Sequence, residues 1–318
     1  MIRRYLPLFV TFLVLFMGYA YCISEFRAFS TMRPLVNLLR DNAHLGIAAV
    51  GMTFVIISGG IDLSVGAVIA FTTVFLAVTI QKLGVHPMVA FVLILIIGAM
   101  FGASIGAIIH YLKIPPFIAT LAGMFLARGG ATVISPESEP VYHELYDVVA
   151  GLSIPIGNGK LTFIAMVMLS IVVIGVALLH TSRFGSNVYA LGGNATSAQL
   201  MGVPIARTTI SVYVLSSVLA TIAGIVFSLY MRAGNNLYCV GFELDAIAAV
   251  VIGGTLMTGG SGFVIGTFAG VCIQGLIQTY ITYQNLTSWW TKIVVGFLLF
   301  AFILMQRVMV VIYKGRDA

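Results

Sequence analysis

The 318 residues carry a formal charge of +6, yet only 8% are charged and 60% are hydrophobic. Ordinary globular domains run near roughly 25% and 45–50%, and a mean hydropathy of +1.09 is more apolar surface than one soluble core of this size could hide. The composition excludes a soluble domain and predicts an all-α polytopic membrane protein, its 34 glycines suited to close helix contact in lipid. No basic cluster or basic aromatic platform accompanies the charge, which excludes nucleic acid as a partner.

A helix needs about 20 apolar residues to cross a bilayer. The first apolar run, Leu6–Ile23, follows Arg3 and Arg4 and is longer than a signal-peptide core of about 7–15 residues, so an uncleaved anchor is expected. Leu45–Ser58, Leu63–Ile80, Met88–Tyr111 and Phe117–Ile134 come next, then Leu161–His180, Thr208–Met231, Leu244–Met257, Phe263–Ile281 and Lys292–Ile312. Ten crossings are expected, with eight as the alternative. Leu45–Ser58 and Leu244–Met257 are too short to span unaided and read as half-helices, re-entrant segments or helices that start earlier.

An even number of crossings puts both termini in the cytoplasm. The loop 135–160 carries Glu137, Glu139, Glu144 and Asp147 against Lys160 and fits the outside. The loop Thr181–Arg207 carries Arg183 and Arg207 without an acid and fits the inside, where Arg3, Arg4, Arg307, Lys314 and Arg316 also fall. Arg27, Arg33 and Arg40 land outside and bend the rule, unless they cover an interfacial helix starting near Thr31.

Asp62 stands between two apolar runs beside the breaker pair Gly59-Gly60. With Ser64 it could cap a helix beginning at Leu63, bond to another helix at a gate, or touch a permeating solute. The run Val55–Gly60 recurs loosely as Ala249–Gly254, and repeated discontinuous helices mark substrate routes in transporters. Ser58, Gly59, Gly60, Asp62, Ser64, Gly253 and Gly254 are therefore the candidate gate hinge. Glu243 and Asp245 read as first-turn acids of the helix near Leu244.

Within the inside loop, Asn194 is a good N-cap, Ala195–Met201 favour helix, Gly202 is a good C′ residue and Pro204 forbids continuation. Ala195, Ala198 and Gly202 leave one face small, while Leu200 and Met201 project apolar groups. This short helix is either a docking element or a connector on the membrane surface.

No phosphate-cradling loop, nucleophile elbow, HExxH or CxxC occurs. His44, His86, His110, His143 and His180 share no ligand spacing, and Cys22, Cys239 and Cys272 give neither metal spacing nor a disulfide framework. No catalytic residue, metal or cofactor is expected in this chain. Trp289 and Trp290 before Lys292 read as an interfacial anchor.

The stretches Ser58–Gly66, Gly185–Val203 and Ala246–Thr255, the last followed by Gly259–Gly262, closely resemble three ordered motifs of the ribose/xylose/arabinose-type permeases of bacterial ABC sugar importers. The opening segment, Leu161–His180, Leu276–Tyr280 and Ser288–Ile293 look most like a permease subunit of the galactofuranose importer. The resemblance implies one permease domain over 1–318 in the bacterial inner membrane, beside a homologous second permease subunit. It implies a cytoplasmic ABC ATPase that binds ATP and Mg²⁺ and a periplasmic sugar-binding protein. It also implies that Asn194, Ala195, Thr196, Ser197, Ala198, Gln199, Leu200, Met201 and Gly202 form a coupling helix pressed into that ATPase. The acids that often follow this Asn in the family are absent, so packing would dominate there. Tyr142, Glu144 and Tyr146 are expected to help receive the binding protein. An ion-coupled secondary transporter and a membrane-embedded transferase are the rival readings.

Overall fold

The computed structural model describes residues 2–287 and 289–314, with side chains described over 6–287 and 289–305. Ser288 and Arg316 lie outside the described residues, as do the side chains of Arg3, Arg4, Arg307 and Lys314.

Helix α1 is Ile2–Glu25; a 3₁₀ turn at Arg27–Ser30 leads to α2 (Met32–Asp41), α3 (Ala43–Ile57), α4 (Val65–Gln81), α5 (Pro87–Tyr111) and α6 (Pro116–Ile134). Strand β1 (Glu139–Pro140), α7 (Glu144–Gly151) and the strands β2 (Ser153–Ile156) and β3 (Gly159–Thr162) follow. Then come α8 (Phe163–Thr181), α9 (Arg183–Gly193), α10 (Ala195–Leu200), α11 (Ile205–Met231), β4 (Ala233–Gly234), α12 (Phe242–Ile252), α13 (Val264–Tyr283) and α14 (Trp289–Lys314). Each of the ten apolar segments holds a helix. Among the described residues, six helices are long and apolar enough to cross a membrane: α1, α5, α6, α8, α11 and α13. The two short segments stay short, at 15 residues for α3 and 11 for α12.

Helix α11 is the hub, wrapped by α3, α4 and α5. Gly98, Gly102 and Gly106 lie one turn apart on α5 and face it, and a methyl at Gly106 would lie 2.7 Å from the Ile210 Cα. Backbones can approach that closely in lipid only through small residues. The outward faces of α5, α6 and α8 expose Met88, Val92, Ile96, Phe125, Leu126, Val173 and Ile174, an apolar belt matched to lipid tails.

At one end of the bundle the acidic loop is more ordered than its composition suggests. β2 and β3 form a hairpin turned at Gly157-Asn158, where Gly157 has φ +55°, and a two-residue turn of this kind fits the strand twist. The hairpin rests on α2, with Gly159 against Val36 and the Arg33 backbone. A helix does follow Thr31: α2 is amphipathic, burying Pro34, Val36 and Leu38 and leaving Arg33 exposed. β1 pairs with β4, and Lys82 at the end of α4 ion-pairs with Glu139. That hydrogen bond holds the Glu139 carboxyl below the usual glutamate range.

Candidate functional site

Helices α3 and α12 both stop at glycine in the same way. Gly59 N–H donates to the Ile56 carbonyl and Gly60 N–H to Val55, each at 2.9 Å; Gly254 N–H donates to Val251 at 2.9 Å and Thr255 N–H to Val250 at 3.2 Å. With Gly59 at φ +85° and Gly254 at φ +88°, both ends are Schellman caps. The internal repeat is thus present in the backbone, one residue out of the register the sequence suggests: Gly59 matches Gly254, not Gly253.

The segments after these caps meet. Gly260 N–H donates to the Ile57 carbonyl at 2.8 Å, and a Cβ on Gly259 would lie 3.0 Å from the Gly59 Cα and from the Gly192 carbonyl oxygen. A Cβ on Gly260 would lie 2.9 Å from the Gly193 Cα. Three chain segments therefore stack backbone on backbone: the first break, the second break and the end of α9. Tyr189 of α9 adds a hydrogen bond from its hydroxyl to the Gly262 carbonyl at 2.6 Å. Of the expected hinge residues, Gly253 and Gly254 face elsewhere, against Gly266 of α13 and Pro7 of α1. Gly259, Gly260 and Gly192 are the ones that close the junction. Their signal in the sequence was glycine pairing, which a chain this rich in glycine dilutes.

Asp62 is 1% exposed. Its Oδ1 accepts from the Ser64 N–H at 2.9 Å and the Ser64 hydroxyl at 2.6 Å, and its Oδ2 accepts from the Ser216 hydroxyl of α11 at 2.8 Å. The interhelical bond is present, but the expected cap is corrected: α4 starts at Val65, not Leu63, its N-cap is Ser64 with no side-chain cap bond, and Asp62 instead forms the turn that holds Ser64. Both carboxylate oxygens face donors inside the bundle. Gly60 packs under the Tyr213 hydroxyl, which has no partner among the described residues. Ser58 donates to the Val55 carbonyl at 2.7 Å.

The short inside helix forms as α10. Asn194 Oδ1 accepts from the Ser197 N–H at 2.9 Å, and the end is a third Schellman cap, with Gly202 at φ +82° and Val203 N–H donating to the Ala198 carbonyl at 3.0 Å. Helix α10 rests against α9 and the start of α11, and the residue it buries is Ala198, at 0% exposure. The expected small outward face is therefore corrected. Ala198 points into the protein because α10 needs an anchor, while Ala195, Thr196, Ser197, Gln199 and Gly202 are exposed. The prominent apolar tip is Leu200 and Met201, 86% and 72% exposed. Upstream, α9 is a helix that sequence analysis leaves as loop; its glycines are poor helix formers, and the Ser182 hydroxyl caps it by accepting from the Gly185 N–H at 3.0 Å.

At the other end of α11, Tyr142 and Glu144 are exposed. Tyr146 is not: α7 turns it onto α11, where its hydroxyl meets that of Ser228 at 3.1 Å, and burial pushes it up to about 12. It is removed from the expected docking set. Arg128 of α6, which sequence analysis passes over, donates to the Asn236 and Tyr238 carbonyls at 2.6 Å and so fixes the turn that starts α12.

Comparison with known proteins agrees with this architecture. Residues 35–303 match the family model described as branched-chain amino acid transport system / permease component. The chain is 56% identical to the inner membrane ABC transporter permease protein YjfF of Escherichia coli, over 100% of this chain and 97% of that protein. It is 39% identical to the fructose import permease protein FruG of Bifidobacterium longum (85% and 82% covered) and 36% identical to the ribose import permease protein RbsC of Bacillus subtilis (87% and 86% covered). No solved structure matches it significantly. A chain of lipid-matched helices with capped, glycine-broken pairs, matched over nearly its whole length by such permeases, belongs to the ribose-type family of ABC sugar importer permeases.

Proposed function

We propose that residues 1–318 form one transmembrane domain and half of the pathway of an ATP-driven monosaccharide importer in a bacterial inner membrane. The chain crosses ten times with both termini cytoplasmic. Relatives named as fructose and ribose import permeases support a sugar as cargo; galactofuranose is the first candidate, on the likeness of the segments quoted above. The partners are a cytoplasmic ABC ATPase that holds ATP and Mg²⁺, a homologous second permease subunit and a periplasmic sugar-binding protein received near Tyr142 and Glu144. The chain itself hydrolyses nothing.

The observation that carries this reading is the glycine junction. A single extended residue, Asn194, joins α10 to α9, and the last residues of α9, Gly192 and Gly193, lie directly on the helix breaks. A push on the Leu200–Met201 tip therefore reaches Gly59 and Gly259–Gly260 without passing through flexible side chains. Closure of the ATPases would move α9 and α10 together and tilt α3 against α4 and α12 against α13.

Leu200→Asp and Met201→Asp place a charge on the docking tip without touching the buried Ala198. Sugar uptake into vesicles carrying the full complex is expected to fall at least tenfold, with the amount of inserted permease unchanged. Normal uptake by both variants would refute the coupling role. Uptake by the chain alone, driven by an ion gradient in liposomes, would favour a secondary transporter.

A further inference from the structure

Tyr230, at the far end of α11 from α10, donates to Asp41 at 3.2 Å. The 27 residues of α11 run about 40 Å, so Asp41 marks the end of the bundle opposite the docking helix. Beside it lies a cavity of about 260 Å³ among α2, α3, α12, α13 and α14. Its wall mixes polar groups with the apolar side chains of Leu45, Phe242 and Val295. Asp41, Asn42, Asp245, Gln274, Thr291 and Lys292 line it, Asp41 carrying its own ion pair with Arg40 at 2.7 Å, and Phe242 adds a ring covered on one face by His44 at 5.3 Å. Gln274 is buried and donates its amide to the Asp245 carbonyl at 3.0 Å, which leaves its side-chain oxygen to accept. Asn42 likewise donates to the Leu38 carbonyl at 2.9 Å. The Thr291 hydroxyl is buried without a partner among the described residues, and an orphaned polar atom in an interior calls for a reason. Lys292 grips both oxygens of Asp245, at 2.8 and 2.6 Å, so the two charges cancel.

We infer that this cavity is a monosaccharide subsite at the entrance of the pathway, an inference that rests on the importer reading above. Amide oxygens, a free hydroxyl, a neutralised ion pair and an aromatic ring suit a neutral polyhydroxylated ligand. Both lining carboxylates are already paired, Asp41 with Arg40 and Asp245 with Lys292, and a free ion would have to break one of these pairs. The volume lies under the about 300–1,000 Å³ typical of sites for drug-sized ligands, enough for a single sugar ring. Phe242 and Asp245 belong to the first turn of α12, and the last turn of α12 leads into the second break. A sugar held here touches the helix whose following segment, through Gly259 and Gly260, enters the glycine junction.

The test uses the assembled complex of both permease subunits and the ATPase in nanodiscs, without binding protein. The probes are radiolabelled galactofuranose, ribose and fructose. The wild-type complex is expected to bind the sugar it transports, and Thr291→Val and Gln274→Leu are expected to raise its Kd at least tenfold. Thr291→Val is isosteric and keeps the test valid if Gln274→Leu fails to fold. Unchanged binding in a folded Thr291→Val complex overturns the subsite and leaves the importer reading standing. So does a wild-type complex that binds none of the three sugars while ATP-driven uptake with binding protein proceeds. Absence of ATP-driven uptake of any sugar overturns the importer reading, and the subsite with it.

Discussion

Asp62 shows how one side chain can have several roles open in the sequence and an interhelical bond in the fold. Its spacing from Ser64 makes the local bond legible, but Ser216 lies 154 positions away, and no local pattern announces that partner. The carboxylate satisfies three donors, two from Ser64 and one from Ser216. Asp62→Leu would leave those donors buried and unpaired, at about 1–3 kcal/mol each. Asp62→Asn keeps an acceptor for Ser64 and should cost about 1 kcal/mol. Thermal unfolding of the detergent-purified complex is expected to show a clear drop for the leucine variant and a small one for asparagine. Equal melting of the two would show that the carboxylate does not hold α4 to α11. Ala198 makes the same point through size: its smallness read as an exposed gripping face, whereas the fold uses it as the anchor of α10.

At the scale of elements, helix ends were more legible than helix neighbours. Caps are local chemistry, so Asn194, Gly202 and Gly59 announce where their helices start or stop. The Gly157-Asn158 hairpin and the helix α9 escaped notice because short strands and glycine-bearing helices carry little periodic signal. What α9 touches is decided in three dimensions, and it yields a paired expectation. A Cβ at Gly192 would overlap the Ile57 carbonyl oxygen, whereas one at Gly193 meets nothing within 4 Å. Gly192→Ala should therefore reduce ATP-driven sugar uptake at least tenfold or prevent stable insertion. Gly193→Ala should insert normally and retain most uptake. Similar uptake by both variants in the same vesicle assay would contradict a backbone junction between α9 and the breaks.

For the whole molecule, the ends of α11 define two faces: α10 with Leu200 and Met201 at one, and the β2–β3 hairpin, α7 and the polar cavity at the other. Because α11 is long and apolar enough to span, the proposed topology puts those faces on opposite sides of the membrane. Replacement of Cys22, Cys239 and Cys272 by Ala leaves a background for single thiols at two exposed positions, Ser197→Cys and Glu144→Cys. An impermeant maleimide is expected to label Glu144→Cys in intact cells and Ser197→Cys only in inverted vesicles. Labelling of both from one side would require a different number of crossings. In the proposed topology Arg33 and Arg40 fall on the outer side; they ride on the amphipathic helix α2, where the charge rule for short connecting loops applies weakly.

Composition and hydropathy alone determined that this chain dissolves in lipid, and apolar run length with capping residues determined where its helices lie, because burial in a bilayer and helix termination are local, one-dimensional constraints. Which breaks meet, which acid binds which serine and which end of α12 borders a polar cavity were decided only by tertiary structure. Those outcomes depend on backbones packed within about 3 Å of each other across hundreds of residues of sequence, a distance that glycine permits but does not specify.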